Sequence, residues 1–183
     1  FLHGEDGVNT IHGDAGSDTI WGGESVDLLH GGSGIDGIYG GGGADTIDGG
    51  ADTDYLLGQG GIDHLFGGTG DDYLYGGTEN DTLNGGEGAD VLYGGEGNDT
   101  YYSSSGDDEL HGDAVALKSN DVFEFDVFGD NGDDILLDFD RKNDILDFGD
   151  ATQNGQQVLV THTADDWLKI EFTGGGSVTF EGN

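Results

Sequence analysis

A nine-residue period constrains this chain more than any other feature. With Gly4 as position 1, steps of nine give twelve units without an insertion, ending at His111. Position 1 is glycine from Gly4 through Gly94 and serine only at Ser103. Position 6 is Asn9, Asp18, Asp27, Asp36, Asp45, Asp54, Asp63, Asp72, Asp81, Asp90, Asp99 and Asp108. Position 8 is large and apolar throughout, from Ile11, Ile20 and Leu29 to Leu92, Tyr101 and Leu110. Residues 1–3 fit positions 7 to 9 of a preceding unit, so the chain reads as a piece of a longer protein. Such a period marks stacked units, none of which can bury its apolar face alone.

Charge sharpens the reading. Asp and Glu total 39 against 4 Lys and Arg, a formal net charge of −35. Self-repulsion of that size fits either a disordered chain or one whose acids are cation ligands. A disordered tract has no reason to hold aspartate and leucine in strict register, so the acids read as ligands. The same charge excludes nucleic acid as a partner, because too few cations are present to displace its counterions. Cysteine is absent, so a metal is the cross-link that remains. No apolar run is long enough to span a bilayer.

Within one unit, positions 1 to 6 read as a turn, its glycines permitting positive φ. Positions 7 to 9 read as a short strand with position 8 inward and positions 7 and 9 outward. These repeats resemble the RTX family. The resemblance implies a right-handed parallel β-roll in which successive strands alternate between two short-stranded parallel sheets, two units making a turn of 18 residues. Six turns would measure about 29 Å.

The same resemblance stacks position 6 of unit n beside position 6 of unit n+2. One edge then carries Asn9, Asp27, Asp45, Asp63, Asp81 and Asp99, and the other Asp18, Asp36, Asp54, Asp72, Asp90 and Asp108. Stacked carboxylates repel unless a cation lies between them, and calcium prefers oxygen donors of this kind. The resemblance supplies the other ligands, carbonyls at positions 1 and 3 of one loop and 2 and 4 of its neighbour. Up to about ten ions fit the roll. Position 4 departs from glycine at Ser25, Asp52 and Glu79, and position 2 at Glu5, Asp14 and Gln59. His12 and His30, 18 apart, should be neighbours on an outer face as surface histidines.

After Gly112 the period becomes two. Phe123 and Phe125 share one face, as do Ile135, Leu137 and Phe139, then Leu168, Ile170 and Phe172, before Val178 and Phe180. Residues 113–183 are expected to form a small antiparallel β cap on a roll spanning 1–112. Asp121-Val122-Phe123-Glu124-Phe125, Asp138-Phe139-Asp140 and Asn143-Asp144-Ile145-Leu146-Asp147-Phe148 resemble the segment ending the RTX region of serralysin-type secreted proteins. Asp133, Asp138 and Asp144, with Asp134, Asp140 and Asp147 nearby, are candidates for further calcium sites.

No catalytic constellation stands out, and the chain reads as a non-enzyme. Two function classes remain. One is a calcium-dependent folding and export module of a larger secreted protein, which by resemblance leaves by a type I system with an uncleaved C-terminal signal. The other is a polysaccharide- or surface-binding module of an extracellular enzyme or adhesin. The second rests on an outward aromatic stripe in the even-numbered units, Trp21, Tyr39, Tyr55, Tyr73, Tyr75 and Tyr93, against Phe66 and Tyr102 on the other face. Its expected partner is a neighbouring domain of the parent chain, a polysaccharide or a second copy.

Overall fold

The computed structural model describes residues 1–112, 119–125, 133–137, 143–147, 158–162, 168–172 and 177–180. All regular structure among them is strand. The first strands are β1 (Leu2–His3), β2 (Thr10–Ala15), β3 (Thr19–Gly23), β4 (Leu28–Ser33), β5 (Gly37–Gly42), β6 (Thr46–Ala51) and β7 (Tyr55–Gly60). Next come β8 (His64–Thr69), β9 (Tyr73–Thr78), β10 (Thr82–Glu87), β11 (Val91–Glu96), β12 (Thr100–Tyr102) and β13 (Glu109–His111). The last are β14 (Val122–Glu124), β15 (Asp133–Leu137), β16 (Ile145–Asp147), β17 (Val158–His162), β18 (Leu168–Phe172) and β19 (Ser177–Phe180).

Successive strands alternate between two sheets. One runs β1-β3-β5-β7-β9-β11-β13-β15-β19-β18-β17 and the other β16-β14-β12-β10-β8-β6-β4-β2. Through the repeats the pairing is parallel, in an 18-residue register such as Ile38 with Leu56 and Leu56 with Leu74. This is the two-sheet parallel roll that the RTX resemblance implies. The strands exceed the expected three residues because pairing resumes at positions 2 and 3, as in Gly50 with Gly68 and Ala51 with Thr69. Position 2 turns the corner between the two stretches in left-handed backbone. Gly32, at φ 116°, is one such corner. A Cβ there would meet the Asp14 carbonyl oxygen of the loop above, so glycine serves both the turn and the close stacking of loops.

The core is one side chain wide. Ile20, Leu29, Ile38, Ile47, Leu56, Leu65, Leu83, Leu92 and Leu110 are fully buried at position 8, with flanking residues outward. Each strand therefore buries one aliphatic group against its neighbours, which favours stacking but leaves nine ordered residues resting on one side chain. Tyr101 takes the same place in its strand. Its hydroxyl donates to His111 O at 2.7 Å and accepts from Gly94 N at 2.9 Å, and its ring stacks on Phe123 at 4.5 Å. A buried phenol is satisfied in this way at both polar functions.

The antiparallel expectation is corrected for the first strands after Gly112. β14 pairs with β12, β15 with β13 and β16 with β14, all parallel. Phe123 lies beside Tyr101 and Leu136 beside Leu110, so these segments are further rungs with position 8 preserved. Parallel register also resets the faces: Leu136 is fully buried while Ile135 is exposed, the reverse of the period-two reading. Phe123 and Phe125 are both inward, as expected. Antiparallel pairing does occur farther on, where β17, β18 and β19 form a meander whose strand β19 joins β15 in parallel. No helix among the described residues is long and apolar enough to cross a membrane.

Candidate calcium columns

Each position-6 aspartate is placed by the strand that follows it, because its side chain is aimed before the chain turns inward at position 8. Its Oδ1 accepts the backbone N–H of the aspartate one turn earlier: Asp36 N to Asp54 Oδ1 and Asp45 N to Asp63 Oδ1 are 2.8 and 2.7 Å. The pattern repeats from Asn9 N on Asp27 Oδ1 at 2.6 Å to Asp90 N on Asp108 Oδ1 at 2.9 Å. Two polar columns result, one along each edge of the roll.

The second carboxylate oxygen has no proton to accept. Oδ2 of Asp27, Asp36, Asp45, Asp54, Asp63, Asp72, Asp81, Asp90 and Asp108 is buried without a hydrogen-bond partner. Buried oxygens of this kind are costly unless paired. For all of these but Asp108, whose unit has Ser103 instead, the position-1 glycine opens a cradle beside the carboxylate. A Cβ on Gly49 would lie 2.6 Å from Asp54 Oδ2 and 2.7 Å from the Gly67 carbonyl oxygen of the loop below. Carboxylate and carbonyl thus converge between loops.

The carboxyls register the conflict. Burial, with repulsion from neighbouring aspartates, raises Asp45 to about 6, Asp54 and Asp90 to about 7 and Asp81 to about 8, against an ordinary 3.8. Burial likewise raises Asp72 to about 6 and Asp108 to about 7, and pushes Asp36 and Asp63 upward. In every case the backbone N–H on Oδ1 opposes the rise without cancelling it. A cation in the cradle would supply the compensating charge.

The donor set fits calcium. All the converging atoms are oxygens, and no three His, Asp or Glu side chains gather into a metal cluster among the described residues. A metal here must draw on backbone carbonyls as well as carboxylates, which suits a hard, flexible, oxygen-loving ion. The residues placed to hold it are the position-6 aspartates with loop carbonyls such as Gly67 O.

The family comparison agrees. The description RTX calcium-binding nonapeptide repeat (4 copies) matches residues 3–38, 33–65, 57–92, 66–101 and 75–110, together more than half of the chain. The chain belongs to this RTX repeat family. No curated protein matches it. For an RTX roll, two of the three departures from consensus at position 4 have a structural account. Asp52 and Glu79 keep the turn with φ of 75° each, and their carboxylates accept the N–H of Gly34 and Gly61 in the loops above, at 3.1 and 3.0 Å.

The columns also continue where the nonapeptide stops. Asp99 N bonds Asp121 Oδ1 at 2.9 Å, Asp108 N bonds Asp134 Oδ1 at 3.1 Å, and Asp121 N bonds Asp144 Oδ1 at 3.1 Å. Asp144 therefore stands in one column, as a continuation of the repeat. Asp121 and Asp134 occupy equivalent places, so in this stretch the columns take Asp134 where Asp133 is the expected ligand, and Asp121 as well. Burial raises Asp134 to about 8. Asp133 belongs to β15, and Asp138 lies outside the described residues. The signal for the added rungs was present as aspartate two residues before an apolar one, but intervals of 22, 26 and 23 residues replaced 18 and hid the period.

Asn9 behaves differently from the aspartates below it. Its Nδ2 donates to Gly7 O at 2.6 Å and Glu5 O at 3.1 Å. On the outer faces, His12 and His30 are neighbours as expected, stacked at 4.7 Å, with His30 Nδ1 3.4 Å from Asp48. The aromatic stripe stacks on itself: Trp21 on Tyr39 at 4.2 Å, Tyr55 on Tyr73 at 5.1 Å and Tyr93 on His111 at 3.9 Å.

Proposed function

We propose that this RTX roll is a calcium-dependent folding and export module of a larger secreted protein, with no catalytic role of its own. One observation carries the reading: two columns of buried carboxylate oxygens that meet no proton donor. Without a cation, the thin Leu and Ile core must hold these groups together against desolvation and mutual repulsion. Binding free energy then becomes folding free energy. Extracellular calcium modules typically bind at about 10⁻⁴–10⁻³ M, so the chain stays open at cytosolic calcium and closes outside the cell. The family resemblance supports secretion by a type I system. Circular dichroism of the chain at neutral pH should show little β structure in chelator and a full β signal in millimolar calcium. A native β signal in chelator overturns the reading.

The aromatic face supports a second role beside the first. Trp21, Tyr55, Tyr73, Tyr75 and Tyr93 are exposed on one sheet. Trp21 on Tyr39, Tyr55 on Tyr73 and Tyr93 on His111 each cover a ring face with a neighbouring ring. That stacking favours a neighbouring domain of the parent chain over a sugar, which stacks on an open ring face. Binding of soluble glycans by the folded chain, lost on Tyr73→Ser, would reverse that preference.

A further inference from the structure

The two ends of one column share a feature that Asp27, Asp45, Asp63 and Asp81 between them lack. Along this edge stand Asn9, Asp27, Asp45, Asp63, Asp81, Asp99, Asp121 and Asp144, linked in order by N–H to Oδ1 bonds. In the middle, Oδ2 of Asp27, Asp45, Asp63 and Asp81 has no donor. At the upper end, Nδ2 of Asn9 occupies the equivalent place: a Cβ on Gly4 would lie 2.9 Å from it, as a Cβ on Gly22 would lie 2.7 Å from Asp27 Oδ2. That nitrogen donates to the position-2 and position-4 carbonyls of its own loop, Glu5 O and Gly7 O. At the lower end, Ser119, two residues before Asp121, stands where most repeats have glycine. Its buried hydroxyl donates to Asp121 Oδ2 at 3.0 Å.

In both places a proton stands where the loops of Asp27, Asp45, Asp63 and Asp81 have only oxygens. An amide or hydroxyl proton satisfies an oxygen without adding charge. An ion entering the first gap would meet the N–H groups of Asn9, which repel it. An ion entering the last gap would have to displace the Ser119 hydrogen bond. Both substitutions use local side-chain bonding typical of Asn and Ser in turns, yet they fall at the first and last gaps of one column.

Building on the calcium reading above, we propose that hydrogen bonds from Asn9 and Ser119 replace the cation in the first and last gaps of this column, so that its ions are confined between Asp27 and Asp121. The two residues act as proton-bearing end plugs that set how many ions the edge accepts. Each differs from the repeat consensus by one residue, so each gap can be reopened by restoring it.

The test counts bound calcium on the full chain by native mass spectrometry and by isothermal titration. Asn9→Asp and Ser119→Gly should each bind one more ion than the wild type, and the double variant two more. A gain in one variant alone overturns the inference for the end that fails to respond. Asn9→Ala and Ser119→Ala, which remove the donor without restoring the consensus, should bind no fewer ions than the wild type. Loss of an ion in either would make that side chain a ligand and overturn its role as a plug. A wild-type chain that binds no calcium defeats the functional reading itself, whereas calcium binding with an unchanged count in every variant defeats only this inference.

Discussion

Replacing Asp54 by asparagine should help the roll without calcium and harm it with calcium. Asparagine keeps an oxygen for the Asp36 N–H, 2.8 Å from Oδ1, and changes only the group at Oδ2. Burial first, then repulsion from Asp72 and Asp36, holds the Asp54 carboxyl at about 7 against an ordinary 3.8. A value raised by folding means that the calcium-free roll is favoured by protons: the benefit is complete below about pH 4 and is lost as the pH rises through about 7. At about 1.4 kcal/mol per pH unit, carrying this carboxylate ionised at pH 8 costs at most about 4 kcal/mol. Asp54→Asn removes that cost, so in chelator the loss of β signal on raising the pH should move to higher pH, while at pH 4 the variant and the wild type should agree. In saturating calcium the sign reverses. Nδ2 then offers protons to a cation, and the urea-unfolding free energy should fall by about 1.5–3 kcal/mol, the worth of a charge-assisted contact. Asp54→Ala, which also orphans the Asp36 N–H, should be harmful in both conditions. Equal destabilisation by Asp54→Asn with and without calcium would refute the argument, because it would reduce the carboxylate to a structural hydrogen-bond acceptor.

Other substitutions separate the remaining contributions. Gly49→Ala puts a methyl group against Asp54 Oδ2 and Gly67 O and should lower the calcium count by titration, whereas Gly37→Ala, whose nearest new contact is Tyr39 at 3.9 Å, should leave it unchanged. Tyr101→Phe deprives the Gly94 N–H and the His111 carbonyl of a partner and should cost about 1–3 kcal/mol in urea unfolding with calcium present. Tyr73→Ser breaks the stack on Tyr55 and should cost about 0.5–1.5 kcal/mol while the number of bound ions stays the same.

The position-8 core was legible in the sequence as a direct consequence of the period, while the two-sheet alternation and the pairing of aspartates 18 apart were legible through the resemblance to RTX repeats that the period carries. The rungs at Asp121, Asp134 and Asp144 were not, because their spacing stretches while the local aspartate-then-apolar grammar survives. The period-two pattern of Ile135, Leu137 and Phe139 misled for a related reason: a short rung next to a parallel neighbour takes its facing from that neighbour, here Leu110 against Leu136. The bonds of Asn9 and Ser119 were also hidden. A position-6 asparagine looks like a weakened ligand until its amide is seen on Glu5 O and Gly7 O. Tyr101 looked like a conservative core aromatic until both ends of its hydroxyl were found to be bonded.

The 18-residue register also determines which changes of length the molecule tolerates. Removing residues 40–57 excises one full turn, joins Tyr39 to Gly58 and leaves every later strand in its own sheet. Removing residues 40–48 preserves each unit's consensus but sends every later strand to the opposite sheet, so that Trp21 and Tyr39 would be followed by Phe66 and Asn84 instead of Leu57 and Tyr75. A nonapeptide is therefore the unit of sequence, whereas a pair of them is the smallest unit of heredity that lengthens or shortens the roll while keeping its two outer faces distinct.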